Sequence, residues 1–216
     1  MPESPFDQHR YQVRHEWGAA GLARLAPADV VVVVDVLRFS TTVTDAVARG
    51  ESVPLDASAH AVSINGAAIA QAAAAPGATV LLGCLRNARA VADAVLDVQH
   101  RRGDRTSIAV IAAGELSGRE PGAPLRFAVE DQLGAGAIVD ALGTLGIDHT
   151  SPDAAAAAEA FHGLRGALRH LLTASGSGQE LLARDARDEV LNAAAVDAAS
   201  VVPVLRDGVF VAYRGR

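Results

Sequence analysis

The residues best suited to chemistry lie where an apolar run gives way abruptly to polar side chains. Five valines, Val30 to Val34, lead straight into Asp35, Val36, Leu37, Arg38, Phe39, Ser40, Thr41 and Thr42. An acid that can hold a divalent cation and an arginine that can neutralise an oxyanion are parts that phosphoryl transfer needs. Ser40, Thr41 and Thr42 add hydroxyls and backbone N–H groups at what reads as a helix start. The same residues also suit a plainer role, in which Asp35 pairs with Arg38 and the hydroxyls cap the helix. Other acids follow other apolar segments: Glu115, and the adjacent pair Glu130-Asp131. Neighbours on a helix point about 100° apart, so at most one of that pair needs to face a site. A second arginine, Arg86, precedes Asn87 after another apolar run, and Asn65-Gly66 forms a polar turn. An asparagine there serves either the turn or a ligand.

These positions require a scaffold. A short β-branched run reads as a strand buried on both faces, at the centre of a parallel sheet. Ligands in open α/β sheets collect at the carboxyl ends of such strands, beside helix N-termini. The pattern predicts strands over 11–16, 30–34, 53–55, 79–82 and 108–112. Helices are predicted over 17–25, 41–49, 88–100 and 130–142, the last with Gly134-Ala135-Gly136 permitting close packing. The stretch 56–75 is helix-prone but interrupted by a turn at Ser63-Ile64-Asn65-Gly66, and 114–124 reads as a Gly/Pro-rich loop. Ser151-Pro152-Asp153 opens the longest helix, running to about Leu172. After a loop over 173–178 comes a further helix, then a hairpin of 201–205 and 209–212 about Asp207-Gly208. Strands alternating with helices argue for an α/β layered fold in a single domain over 1–216. Leu37-Arg38 with Val43, Asp45, Ala46 and Val47 is echoed by Leu85-Arg86 with Val91, Asp93, Ala94 and Val95. The echo predicts two related strand–turn–helix units facing one crevice, each supplying an arginine.

Composition narrows the classes. Half of the 216 residues are apolar and only 4% aromatic, so the core is built from Ala, Val and Leu. A net charge of -6 with no lysine gives no basic footprint for nucleic acid and rules out a P-loop lysine. The seven histidines form no pair at metal-ligand spacing on one helical face, and no Gly-x-Ser-x-Gly elbow occurs. One cysteine, Cys84, excludes an intrachain disulfide and reads as a buried structural thiol in a reducing cytosol. The polar start Met1 to Pro5 lacks a leader, and no apolar run approaches the roughly 20 residues that span a bilayer. The expectation is a soluble cytoplasmic protein acting on a small molecule, without nucleic-acid or membrane partners. Its Gly/Ala-rich helix suits packing either within the fold or across a homodimer.

Val33 to Thr42, Asn65-Gly66-Ala67, Leu82-Gly83-Cys84-Leu85-Arg86-Asn87-Ala88, Ala112-Ala113-Gly114-Glu115, Glu130 to Ala137 and Val202-Pro203-Val204-Leu205 together resemble the 2-phosphosulfolactate phosphatase (ComB-like) family, in the family's order. The resemblance implies a three-layer α/β/α fold and a Mg²⁺-dependent acid phosphatase that releases sulfolactate and phosphate from phosphosulfolactate. Asp35, Arg38, Asn65, Asn87, Glu130 and Asp131 fall on the family's motif positions. On this reading Asp35, with Glu130 or Asp131, holds Mg²⁺, and Asp35, Arg38 and Glu130 carry catalysis. Arg38 and Arg86 bind phosphate and sulfonate, assisted by Ser40, Thr41, Asn65 and Asn87. One departure matters: family members typically carry a long insertion with a Gly-Glu-Arg-Gly-like loop before the Asn-Gly turn, and it is absent here. A second reading is therefore an anion-binding relative that has lost an active-site loop and turnover with it.

Overall fold

Val30–Val34 forms an interior strand of a seven-stranded mixed sheet. The computed structural model describes residues 4–56, 59, 63, 65–74, 77–118 and 123–215. Strands β1 (Val13–Trp17), β2 (Val30–Val34), β3 (Val53–Pro54), β4 (Thr79–Gly83) and β5 (Ile108–Ala112) arise in the first half of the chain. A second, two-stranded sheet pairs β6 (Glu115–Leu116) with β7 (Leu125–Arg126), and β8 (Pro203–Arg206) and β9 (Val209–Ala212) close the chain. The large sheet runs β1-β5-β2-β4-β8-β9-β3. Its first four strands are parallel, with Val34 level with Gly83 on one side and Ala112 on the other.

Alternation along β2 divides the core in two. Val31 and Val33 pack with α1 (Gly18–Arg24), α2 (Phe39–Ala48) and α3 (Gly66–Ala73) on one face. Val30, Val32 and Val34 pack on the other face with α4 (Ala88–Arg102), α5 (Val129–Thr144), α6 (Pro152–Leu164) and α7 (Leu168–Ala174). A mixed sheet between two helical layers is the three-layer α/β/α arrangement. Every valine of the strand is buried, and each such side chain contributes roughly 1.5–3 kcal/mol relative to an exposed one.

Handedness decides where the crevice opens. From β1 to β2 to β4 the chain steps across the sheet with α1, α2 and α3 on one face. From β4 it returns to β5 through α4 on the opposite face, as right-handed crossovers demand. The chain thus leaves β2 towards one face and β5 towards the other. Their carboxyl ends part, leaving a crevice at a topological switch point.

Several expectations are revised. The two echoed units share a strand–turn–helix plan, but α2 and α4 lie on opposite faces of the sheet. The expected long helix is broken by a 3₁₀ turn, Arg165–Ala167, between α6 and α7. Gly163 and Gly166 weaken the helix there, and the break turns Leu168 and Leu172 into the core. The segment read as a loop over 114–124 begins with β6, which pairs with β7 just beyond it, with 119–122 outside the described residues. Helix α8 (Gly176–Leu182) begins within the loop expected at 173–178, because the Ser175 hydroxyl accepts the Gly178 N–H, and α9 (Arg187–Ala193) follows. Of the helix-prone stretch, α3 is described, whereas 57–58, 60–62, 64 and 75–76 lie outside the described residues. The closing hairpin forms about Asp207 and Gly208, whose positive φ values of 50° and 78° suit a type I′ turn. The Gly/Ala-rich helix packs inside the fold, since a Cβ at Gly136 would lie 2.1 Å from the Ala157 carbonyl oxygen on α6. Among the described residues no helix is long and apolar enough to cross a membrane.

Candidate active site

Asp35 is the first residue beyond β2, and short-range hydrogen bonds hold its turn to α2. The Ser40 hydroxyl accepts the Asp35 N–H at 3.1 Å and donates to the Val33 carbonyl at 3.0 Å. Thr41 donates to the Val36 carbonyl at 2.8 Å. The Leu37–Arg38 peptide bond within this turn is cis. The Asp35 carboxylate accepts the Phe39 N–H on Oδ1 at 3.1 Å and the Ser63 hydroxyl on Oδ2 at 2.8 Å. Ser63 in turn accepts the Gly66 N–H at 2.8 Å. Gly66 has to be glycine for this approach, because a Cβ there would sit 2.6 Å from Asp35 Oδ2. Asn65 ties the same turn to the end of β5, donating from Nδ2 to the Gly114 carbonyl at 2.8 Å.

The first turn of α5 inserts between the two diverging loops. Asp131 accepts the Val36 N–H on Oδ1 at 2.7 Å and the Gly114 N–H on Oδ2 at 2.9 Å. One carboxylate therefore bridges the turns that leave β2 and β5. Both Glu130 and Asp131 are only 3% exposed, although the sequence requires no more than one to face inward. The reason is that this helix start is wedged into the crevice, where its positive dipole end favours acids on every side. Burial pushes the Asp35 carboxyl above its usual pKa, with the charge of Glu130 adding to the effect. Asp131 is pushed well above, by burial first and then by the charges of Asp35 and Glu130. None of the three is paired with a basic side chain among the described residues.

A cavity of about 550 Å³ opens at Asp35. Arg38, Ser63, Asn65 and Glu115 line it from the sheet side, and Ser177 and Arg184 from α8 and its C-terminal end. Glu130 and Asp131 lie behind Asp35 and do not line it. Arg38 also pairs with Glu189 of α9 at 2.7 Å.

The second expected arginine is elsewhere. Arg86 does not line this cavity: its Nε donates to Asp45 of α2 at 3.0 Å, and its Nη1 donates to the Asn192 side-chain oxygen at 2.7 Å. Placed on opposite faces, the two helices let Arg86 fasten one unit to the other. Asn87 is fully buried, with Nδ2 donating to the Leu82 and Val201 carbonyls and Oδ1 accepting the Cys84 N–H. It fastens the β4 turn. Ser40 and Thr41 likewise spend their hydroxyls on the backbone of their own turn. Cys84 is buried, and that burial raises its thiol pKa, as befits a structural thiol. Sequence reading missed Ser63 as a partner of Asp35, although it stood in the recognised Ser-Ile-Asn-Gly turn. Arg184 and Glu189 carried no local signal, being far along the chain from Asp35.

The donor chemistry suits a hard divalent cation: Asp35, Glu130 and Asp131 supply oxygen alone, and a positive ion would relieve their mutual repulsion. Among the described residues no three His, Cys, Asp or Glu side chains close around one ion. Comparison with curated proteins returns no match. A family model described as 2-phosphosulpholactate phosphatase matches residues 55–208, taking in Asn65, Arg86, Asn87, Glu130 and Asp131 and leaving the Asp35 turn upstream. With most of its length in that match, the chain belongs to the 2-phosphosulpholactate phosphatase family, a family of phosphoric monoester hydrolases.

Proposed function

We propose that the protein hydrolyses 2-phosphosulfolactate, or a similar small phosphorylated hydroxy acid, to the free hydroxy acid and phosphate. The observation that carries this reading is one crevice bearing Asp35 and Arg38, backed by two further buried carboxylates, in a chain of a phosphatase family. Hydrolysis breaks the ester P–O bond, forms a P–O bond to the attacking oxygen, and returns a proton to the departing alkoxide. The planar guanidinium of Arg38 is suited to bind two phosphoryl oxygens at once. Asp35, buried at the edge of the cavity and raised in pKa by that burial, is poised to ionise beside a cation. Asp131 keeps the turn bearing Asp35 in register with the Gly114 turn.

Mg²⁺ would be held by Asp35 at the cavity wall, with Glu130 and Asp131 behind it adding negative charge and its shell completed by water and substrate oxygens. When bound it would neutralise charge on the phosphoryl group. Phosphate release measured across 2-phosphosulfolactate, 2-phospholactate and an uncharged alcohol phosphate tests the reading. Release from 2-phosphosulfolactate should exceed the others; equal rates on all three, or none on any, would contradict it.

A further inference from the structure

We propose that Arg184 binds the sulfonate, one of the two anionic groups the substrate carries besides its phosphate, so that Arg184 sets specificity in the Asp35 cavity. The proposal rests on the phosphatase reading above and names what recognises the part of the substrate away from the phosphate. The phosphate, carboxylate and sulfonate of 2-phosphosulfolactate bring three anionic groups into a cavity that already holds Asp35, Glu115 and Glu180. Arg38 can answer one anionic group. Arg86, which sequence reading paired with Arg38 on phosphate and sulfonate, is bound to Asp45 and Asn192 outside this cavity.

Arg184 lines the same cavity as Asp35 and Arg38 but arrives from a different wall, just past α8. Its backbone is fixed. The Arg184 N–H donates to the Leu181 carbonyl at 3.0 Å, the Ala186 N–H donates to the same oxygen at 2.9 Å, and Asp185 ends the helix at a φ of 58°. Leu181 anchors the segment in the core at 7% exposure. The side chain is lightly held: its partner is Glu180, one turn earlier, at 3.4 Å, with the two side chains 65% and 66% exposed. Exposed pairs of this spacing stabilise little, so turning the guanidinium to a ligand costs little. A fixed Cα carrying a free five-donor arm suits capture of a sulfonate, which stays ionised at every physiological pH. A cavity of about 550 Å³ has room for a three-carbon acid held between two such arms.

The test is calorimetric titration of wild type, Arg184→Gln and Arg184→Lys with sulfolactate and, separately, with inorganic phosphate. Arg184→Gln should weaken sulfolactate binding by about tenfold or more, as expected for a lost charge-assisted hydrogen bond, and Arg184→Lys should recover part of it. Phosphate affinity should stay within about twofold of wild type. In kinetics, KM for 2-phosphosulfolactate should rise in Arg184→Gln while that for 2-phospholactate, which lacks the sulfonate, stays level. Unchanged sulfolactate affinity in Arg184→Gln, equal weakening of both ligands, or no sulfolactate binding by wild type would each overturn the assignment. Failure of the phosphatase reading itself is separately visible, as wild type that binds sulfolactate yet releases no phosphate from any ester.

Discussion

Asp131 and Val36 are joined across the crevice by a 2.7 Å hydrogen bond from the Val36 N–H to the Asp131 carboxylate. The second oxygen of that carboxylate holds the Gly114 N–H, so an acid at the start of α5 pins together the loops that leave two neighbouring strands. Asp131 thereby fixes the position of Asp35, which lies one residue before Val36. Its neighbour Glu130 contributes charge at the same place.

Removing that clamp has a calculable consequence. Asp131→Ala leaves two buried backbone N–H groups without an acceptor, at about 1–3 kcal/mol for each group left unpaired. Urea unfolding should show a loss of about 3 kcal/mol in total, accompanied by lower turnover. A loss below about 0.5 kcal/mol would mean that the loops hold their arrangement unaided.

The buried acids also set a pH dependence. Asp35 and Asp131 have pKa values raised by folding, so the folded chain binds more protons than the unfolded one above the ordinary value of 3.8. Their contribution to stability is full below that value and is lost as pH rises through the raised folded values. Asp35→Asn, which cannot ionise, should therefore gain on wild type in unfolding free energy as pH rises above the ordinary carboxyl value of 3.8. Added Mg²⁺ should stabilise wild type more than the variant. A difference between the two proteins that does not change with pH would contradict this account.

Arg86 should behave as a structural residue. Its side chain is 13% exposed and its Asp45 partner 26%, so the pair is mostly shielded from water. Arg86→Ala should lower stability by about 2 kcal/mol, through the unpaired Asp45 and the lost bonds to Asn192, while KM stays within about twofold. A large rise in KM with stability intact would restore the substrate-binding role read from the sequence.

Gly66 tests the close approach of α3 to the acid. In Gly66→Ala the new methyl meets Asp35 Oδ2 and Phe39, and overpacking of this kind costs about 1–3 kcal/mol. Because the clash falls on the Asp35 carboxylate, kcat should drop more than KM changes. Steady-state kinetics with wild-type values would show that the helix shifts without moving Asp35.

The parts of this architecture written locally were legible in the sequence. The run Val30 to Val34 could only be a strand buried on both faces, and Asp207-Gly208 marked its hairpin by turn chemistry alone. Asp35, Arg38 and Asn65 were legible because each stands at a junction between elements, and the cavity contains all three. The place of Arg86 outside the Asp35 cavity was not legible, because its surroundings repeat those of Arg38 in sequence, whereas handedness sends the following helices to opposite faces. The burial of both Glu130 and Asp131 escaped helical periodicity, since it follows from a helix end wedged between loops and not from one lying on a surface. Arg184 joins the Asp35 cavity and Glu189 reaches Arg38 only through the packing of α8 and α9, and spacing along the chain carries no trace of that.

The central claim is that Asp35 is the working carboxylate of a Mg²⁺-dependent phosphatase. Single-turnover phosphate release from 2-phosphosulfolactate, by wild type and Asp35→Asn, each with Mg²⁺ and after chelation, tests it most directly. The account predicts release by wild type with Mg²⁺, and a fall of about a hundredfold or more on either chelation or substitution, with Asp35→Asn still folded. Equal release in all four reactions, or full activity in Asp35→Asn, would contradict it.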